Sequence, residues 1–152
     1  MAPRSRGSIR LNPASPTDPE AAPVIDTNYL SDPGDYDLDA LADALTLCRE
    51  LGAQPALAAL LAAELQPGPS ITSPEEIRAW LLRHATHDYH PACTCRMGPA
   101  DDPAAVVDAS GRVHGLDGVI VADASIMPFV TLANTNLPTF VGAEKIARDL
   151  LE

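Results

Sequence analysis

Four side chains of metal-binding type, His87, His90, Cys93 and Cys95, fall within nine residues of this chain. Two imidazoles and two thiolates make a tetrahedral zinc set. A Cys-x-Cys pair is less usual in a compact zinc site than Cys-x-x-Cys, so a small zinc-binding module is the minor reading. The same stretch, His90-Pro91-Ala92-Cys93-Thr94-Cys95-Arg96-Met97-Gly98, offers an imidazole as a general base. Imidazole suits that task because its ordinary pKa of about 6.5 lies near working pH. Taken alone, however, a His before Pro is an ordinary surface or packing residue. The second dense segment is Asp123-Ala124-Ser125-Ile126-Met127-Pro128, followed by Asn134-Thr135-Asn136-Leu137-Pro138-Thr139 and Glu144-Lys145. Asn134 alone reads as a turn former.

These segments need elements to hold them. Upstream, Ser8 to Leu11 alternates polar and apolar and predicts a short strand. A second strand is expected over residues 24–29, after a Pro-rich loop. Leu38, Leu41, Leu45 and Cys48 recur at helical spacing over residues 37–51, with Gly52 as a stop. An Ala-rich helix is expected over residues 55–65. Ser73-Pro74-Glu75-Glu76 is a capping box with Pro at the first helical position, and Ile77, Trp80, Leu81 and His84 mark one face of the helix it starts. Beyond it, residues 106–108 and 112–114 predict a hairpin through Ala109-Ser110-Gly111. Residues 119–122, Val-Ile-Val-Ala, form a continuous apolar run of the buried parallel-strand type. An amphipathic helix is expected over residues 138–151.

The first segment resembles the His-Pro-x-Gly-Thr-Cys-x-Met-Gly signature of the glucose–methanol–choline (GMC) oxidoreductases. The second resembles that family's Asp-x-Ser-x-x-Pro, Asn-x-Asn and Pro-Thr signature. Ser5-Arg6-Gly7, Asn28-Tyr29-Leu30-Ser31 and Gln66-Pro67-Gly68 also match in order, so the similarity covers nearly the whole chain. One departure stands out: Cys93 occupies a position where the family usually has Gly.

The resemblance implies an FAD enzyme that oxidises an alcohol. A base takes the hydroxyl proton while hydride leaves the carbon for flavin N5. Residue by residue, the base is His90, and the second active-site position, His or Asn in the family, is Asn134. An Asn amide can hydrogen-bond the substrate oxygen without competing for its proton. The cofactor-binding residues so implied are Asp123, Ala124, Asn136, Pro138 and Thr139, with the free N–H groups of the last helix near the flavin pyrimidine. The zinc reading becomes unnecessary, because the family match explains the segment without a metal.

The fold class expected is α+β. Residues 1–116 form a substrate-binding region of short strands and helices, and residues 117–152 form the last strand and helix of an FAD-binding, Rossmann-like domain. A Gly-x-Gly-x-x-Gly turn for the pyrophosphate is absent from all nine glycines. The chain therefore reads as incomplete alone, with an N-terminal FAD-binding portion as its partner and a small alcohol as substrate. A non-catalytic binding module is the remaining alternative, and the unpaired strand argues against it.

Composition narrows the other classes. Lys plus Arg total 10 and Asp plus Glu 21, so the net charge is 10 − 21 = −11. That excess works against nucleic-acid backbones, which need clustered cations, and against anionic membrane surfaces. No stretch is apolar enough to span a bilayer. The first twenty residues lack an apolar signal core, and three cysteines with no obvious pairing suggest a reducing, cytoplasmic setting.

Overall fold

The computed structural model describes residues 3–151, which form two compact units, residues 3–86 and residues 87–151.

In the first unit, β1 (Ser8–Arg10) pairs antiparallel with β2 (Val24–Asp26), with Ile9 opposite Ile25. The second strand is shorter than expected. Asp26 accepts a hydrogen bond from the Asn28 amide at 3.1 Å, and Asn28 and Leu30 both have positive φ, so the chain turns away after Asp26. Ile9 and Ile25 remain exposed, as befits a two-stranded ribbon with no covering layer.

The helix α1 (Tyr36–Gly52) begins without a side-chain cap from Asp35. Asp32 supplies it instead, its carboxylate accepting from the Tyr36 amide at 2.8 Å and the Asp37 amide at 3.1 Å. A negative charge there also suits the positive end of the helix. At the second position of the helix, buried Asp37 accepts from the amides of Arg4 and Ser5 and from the Ser5 hydroxyl. Burial alone would raise the Asp37 pKa, but those hydrogen bonds outweigh it and hold the carboxyl below its ordinary value.

The short α2 (Pro55–Ala58) corrects the expectation of a helix to residue 65. Leu60, Leu61 and Leu65 are exposed, so no buried face supports the longer helix. A segment shorter than about 12–15 residues rarely holds a helix by propensity alone. The helix α3 (Pro74–His84) starts as the sequence indicates. The Ser73 hydroxyl accepts from the Glu76 amide, and the Glu76 carboxylate accepts from the Ser73 amide. Leu38 of α1 and Ile77 and Leu81 of α3 form this unit's core, flanked by Leu41, Leu45 and Trp80.

The second unit is built around Val107, Ile126 and Ile146, with Met97, Val113, Ile120 and Val121 packed against them. The expected hairpin is present as a tight loop: Val107 bridges Val113, and the Asp108 amide donates to the Arg112 carbonyl at 2.9 Å. Gly111 has φ +75°, and a Cβ there would collide with the Val121 carbonyl, so only glycine suits this turn. Residues 119–122 do not form the expected parallel strand. Ile120 makes one antiparallel bridge to Arg112, flanked by hydrogen bonds from the Val113 amide to the Val119 carbonyl and from the Val121 amide to the Gly111 carbonyl. With one short neighbour the apolar run stays a bridge rather than a ladder.

A 3₁₀ turn (Ala124–Ile126) and α4 (Asn136–Leu151) complete the unit. Residues 87–116 share a core with α4, so the spatial division at 86/87 differs from the functional division expected at 116/117. Short strands and helices together make an α+β chain. Among the described residues, no helix is long and apolar enough to cross a membrane.

Candidate functional site

All seven residues singled out in the sequence lie in the second unit, and two segments bring them near one another. The first segment is irregular, with Cys93 left-handed and a turn at Thr94–Cys95. Its amides at Cys93, Cys95 and Met97 donate to the carbonyls of Ala124, Ser125 and Ile126 at 3.3, 2.9 and 2.8 Å. The signature around His90 is thus laced directly onto the turn that carries Asp123 and Ala124.

Beyond Met97 the lacing continues. The Gly98 amide donates to the Val107 carbonyl at 2.9 Å, and His114 Nε2 donates to the Gly98 carbonyl at 3.0 Å. Arg96 pairs with Asp102 at 2.6 Å. The Ala104 amide and then Arg96 hold the Asp102 carboxyl below its ordinary pKa.

At the turn itself, the Asp123 carboxylate accepts from the Ser125 hydroxyl at 2.5 Å and the Ser125 amide at 2.8 Å. Those bonds hold Asp123 below the ordinary carboxylate range, so it is ionised at neutral pH. They also cap the 3₁₀ turn, which leaves Ala124 positioned by the Cys93 amide.

The second segment reaches His90 with side chains. Asn134 Nδ2 lies 2.9 Å from His90 Nε2, and Thr135 Oγ1 lies 3.1 Å from His90 Nδ1. The Asn136 amide donates to Asn134 Oδ1 at 3.0 Å. An amide N–H can only donate, so that bond identifies Oδ1 and turns Nδ2 toward the ring. Nδ2 is itself a donor. Nε2 of His90 must therefore present its lone pair, which is the form a base needs.

Asn136 and Pro138 lie in the first turn of α4, and Thr139 closes it. The Thr139 amide and hydroxyl both donate to the Thr135 carbonyl, at 3.0 and 2.7 Å. The residue that sequence reasoning left without a role is Thr135. It is buried, while His90 and Asn134 are exposed.

Cys93, where the resemblance leads one to expect Gly, has φ +70°. That left-handed conformation comes to glycine without steric penalty and costs other residues roughly 1–2 kcal/mol. Among the described residues, no three His, Cys, Asp or Glu side chains are placed to hold a metal ion, and the zinc reading of His87, His90, Cys93 and Cys95 is not favoured.

Comparison with known proteins is decisive for the family. The GMC oxidoreductase model matches residues 3–143. The chain belongs to the GMC oxidoreductase family. It is 47% identical over 143 residues to an oxygen-dependent choline dehydrogenase of Chromohalobacter salexigens, covering 94% of this chain and 25% of that protein. Among solved GMC-like structures, pyridoxine 4-oxidase from Mesorbium loti superposes with a TM-score of 0.80 at 35% identity, over 97% of this chain and 28% of that one. An FAD-dependent oxidoreductase from Chaetomium thermophilum gives 0.79 at 31% identity, over 97% and 25%. The chain thus spans about a quarter of the length of the curated relative it matches.

Proposed function

We propose that this chain is the C-terminal catalytic part of an FAD-dependent GMC enzyme that oxidises the CH–OH group of a small alcohol. The observation that carries the reading is the His90–Asn134 pair, with the ring's Nε2 lone pair facing an amide donor at 2.9 Å. In this reading His90 takes the hydroxyl proton at Nε2, and Asn134 holds the substrate oxygen through Nδ2. The bound flavin supplies the acceptor for the hydride that leaves the alcohol carbon.

Asp123, Ala124, Asn136, Pro138 and Thr139 are the residues proposed to meet that cofactor. The start of α4 suits a ring that gains negative charge. Asn136 and Leu137 are exposed there, and first-turn amides have no partner within their own helix. Residues 1–116 serve as the substrate-binding region, and residues 117–152 complete an FAD-binding, Rossmann-like domain. The pyrophosphate-binding glycines belong to an N-terminal portion of the enzyme, the chain's proposed partner. None of Cys48, Cys93 and Cys95 is in a disulfide, which supports a cytoplasmic setting.

The test joins this chain to the N-terminal portion of a choline dehydrogenase relative and assays choline first, followed by other small alcohols. His90→Ala should lower oxidation by about 10²–10⁴-fold, the usual worth of a general base, with flavin retained. Near-normal turnover by that variant would remove His90 from the role.

A further inference from the structure

We propose that Thr135 is a positioning residue that fixes the tautomer of His90 by accepting the Nδ1 proton. The sequence prepares it for this. Thr135 directly precedes α4, where a hydroxyl ordinarily accepts from the second or third helical amide. The third residue of α4 is Pro138, which has no N–H, so one of the two usual donors is missing. Thr135 Oγ1 instead lies 3.1 Å from His90 Nδ1.

Burial makes this contact count. Thr135 is only 7% exposed, so little water competes at its side chain, while the two Thr139 bonds to its carbonyl hold its backbone. Asn134 also favours a bare Nε2, but only while its amide points at the ring. Once that amide holds a substrate oxygen, as the proposed function requires, the Thr135 bond alone keeps the proton on Nδ1. After His90 has taken a proton, the same bond receives Nδ1–H from the charged ring and steadies it. This functional consequence rests on the proposed role of His90; the tautomer itself does not.

Long-range ¹H–¹⁵N correlation of the full chain at about pH 8, above the ordinary imidazole pKa, reads the tautomer without any activity. The structure supplies internal references. His84 Nδ1 faces the Trp80 carbonyl, so its Nδ1 is protonated; His114 Nε2 faces the Gly98 carbonyl, so its Nε2 is protonated. His90 should match His84, with Nε2 at the downfield position of an unprotonated nitrogen. In an Asn134→Ala background, which removes the other donor to the ring, that pattern should persist. Adding Thr135→Val, which keeps the shape and removes the hydroxyl, should then shift the two His90 nitrogens toward each other as the tautomers mix, with His84 and His114 unmoved. Thr135→Ser should restore the wild-type pattern. A protonated His90 Nε2 in the wild type, or a His90 unchanged by Thr135→Val in the Asn134→Ala background, would overturn the proposal. The His90→Ala turnover test can fail independently of either result.

Discussion

The side-chain amide of Asn134 and the imidazole of His90 meet at 2.9 Å although 44 residues separate them in the chain. The meeting is held from Asn134's own side, because the Asn136 amide takes Oδ1 and leaves Nδ2 for the ring.

Asn134→Ala therefore removes two interactions. Loss of the bond at the start of α4 should cost about 0.5–1.5 kcal/mol of stability. In the flavin-loaded assembly, loss of a donor to the substrate oxygen should slow flavin reduction by about 10²-fold or more. Anaerobic bleaching by the alcohol measures the second effect. An unchanged bleaching rate would leave Asn134 with the turn alone.

Cys93→Gly places the family residue in a left-handed position. Relief of roughly 1–2 kcal/mol of backbone strain, against roughly 0.5–1 kcal/mol for glycine's greater unfolded freedom, favours the variant. A thermal melt should show Tm unchanged or raised by a few degrees. A clear fall would mean that the interactions of the Cys93 side chain outweigh the strain.

Asp37 supplies a pH dependence. Its carboxyl titrates below the ordinary value in the folded chain, despite burial, because Ser5 and Arg4 donate to it. Its stabilising effect is complete above the unfolded pKa of about 3.9 and is lost as pH falls through the lower folded value. Asp37→Asn should thus cost about 1–3 kcal/mol near neutral pH. The gap to wild type should narrow as pH falls below about 3.9 and toward the lower folded value. Urea unfolding at neutral pH and across the acid range checks this, and a constant gap would assign the effect to shape rather than charge.

Local signals in the sequence were read most directly. Ser73 and Glu76 announced α3, since a capping box needs only the residues that compose it. The spacing of Leu38, Leu41 and Leu45 announced α1 because one face of that helix does reach a core. Ala-rich residues 55–65 and the apolar run 119–122 were over-read for one reason. Composition states what a segment can bury, whereas the neighbours decide what it does bury: Leu60, Leu61 and Leu65 stay exposed, and residues 119–122 have one short bridging neighbour. The closeness of His90 and Asn134 was expected only through family resemblance, since no local rule spans 44 residues. Thr135 had a readable sign, a hydroxyl three places before Pro138, whose meaning emerges once His90 is placed beside it.

The lacing of residues 93–97 onto the 3₁₀ turn has uneven arithmetic: every second amide of the segment meets consecutive carbonyls of the turn. Cys93 is left-handed and Thr94–Cys95 form a turn, which shortens this segment to match a 3₁₀ turn that advances only about 2 Å per residue. Two residues on one side are thereby matched to one on the other. A single inserted residue between Cys93 and Met97 would put the following amides out of step with those carbonyls and strip the turn of its donors. The distance in sequence from Cys93 to Met97 is thus a counted length, tolerant of changed side chains but not of changed number.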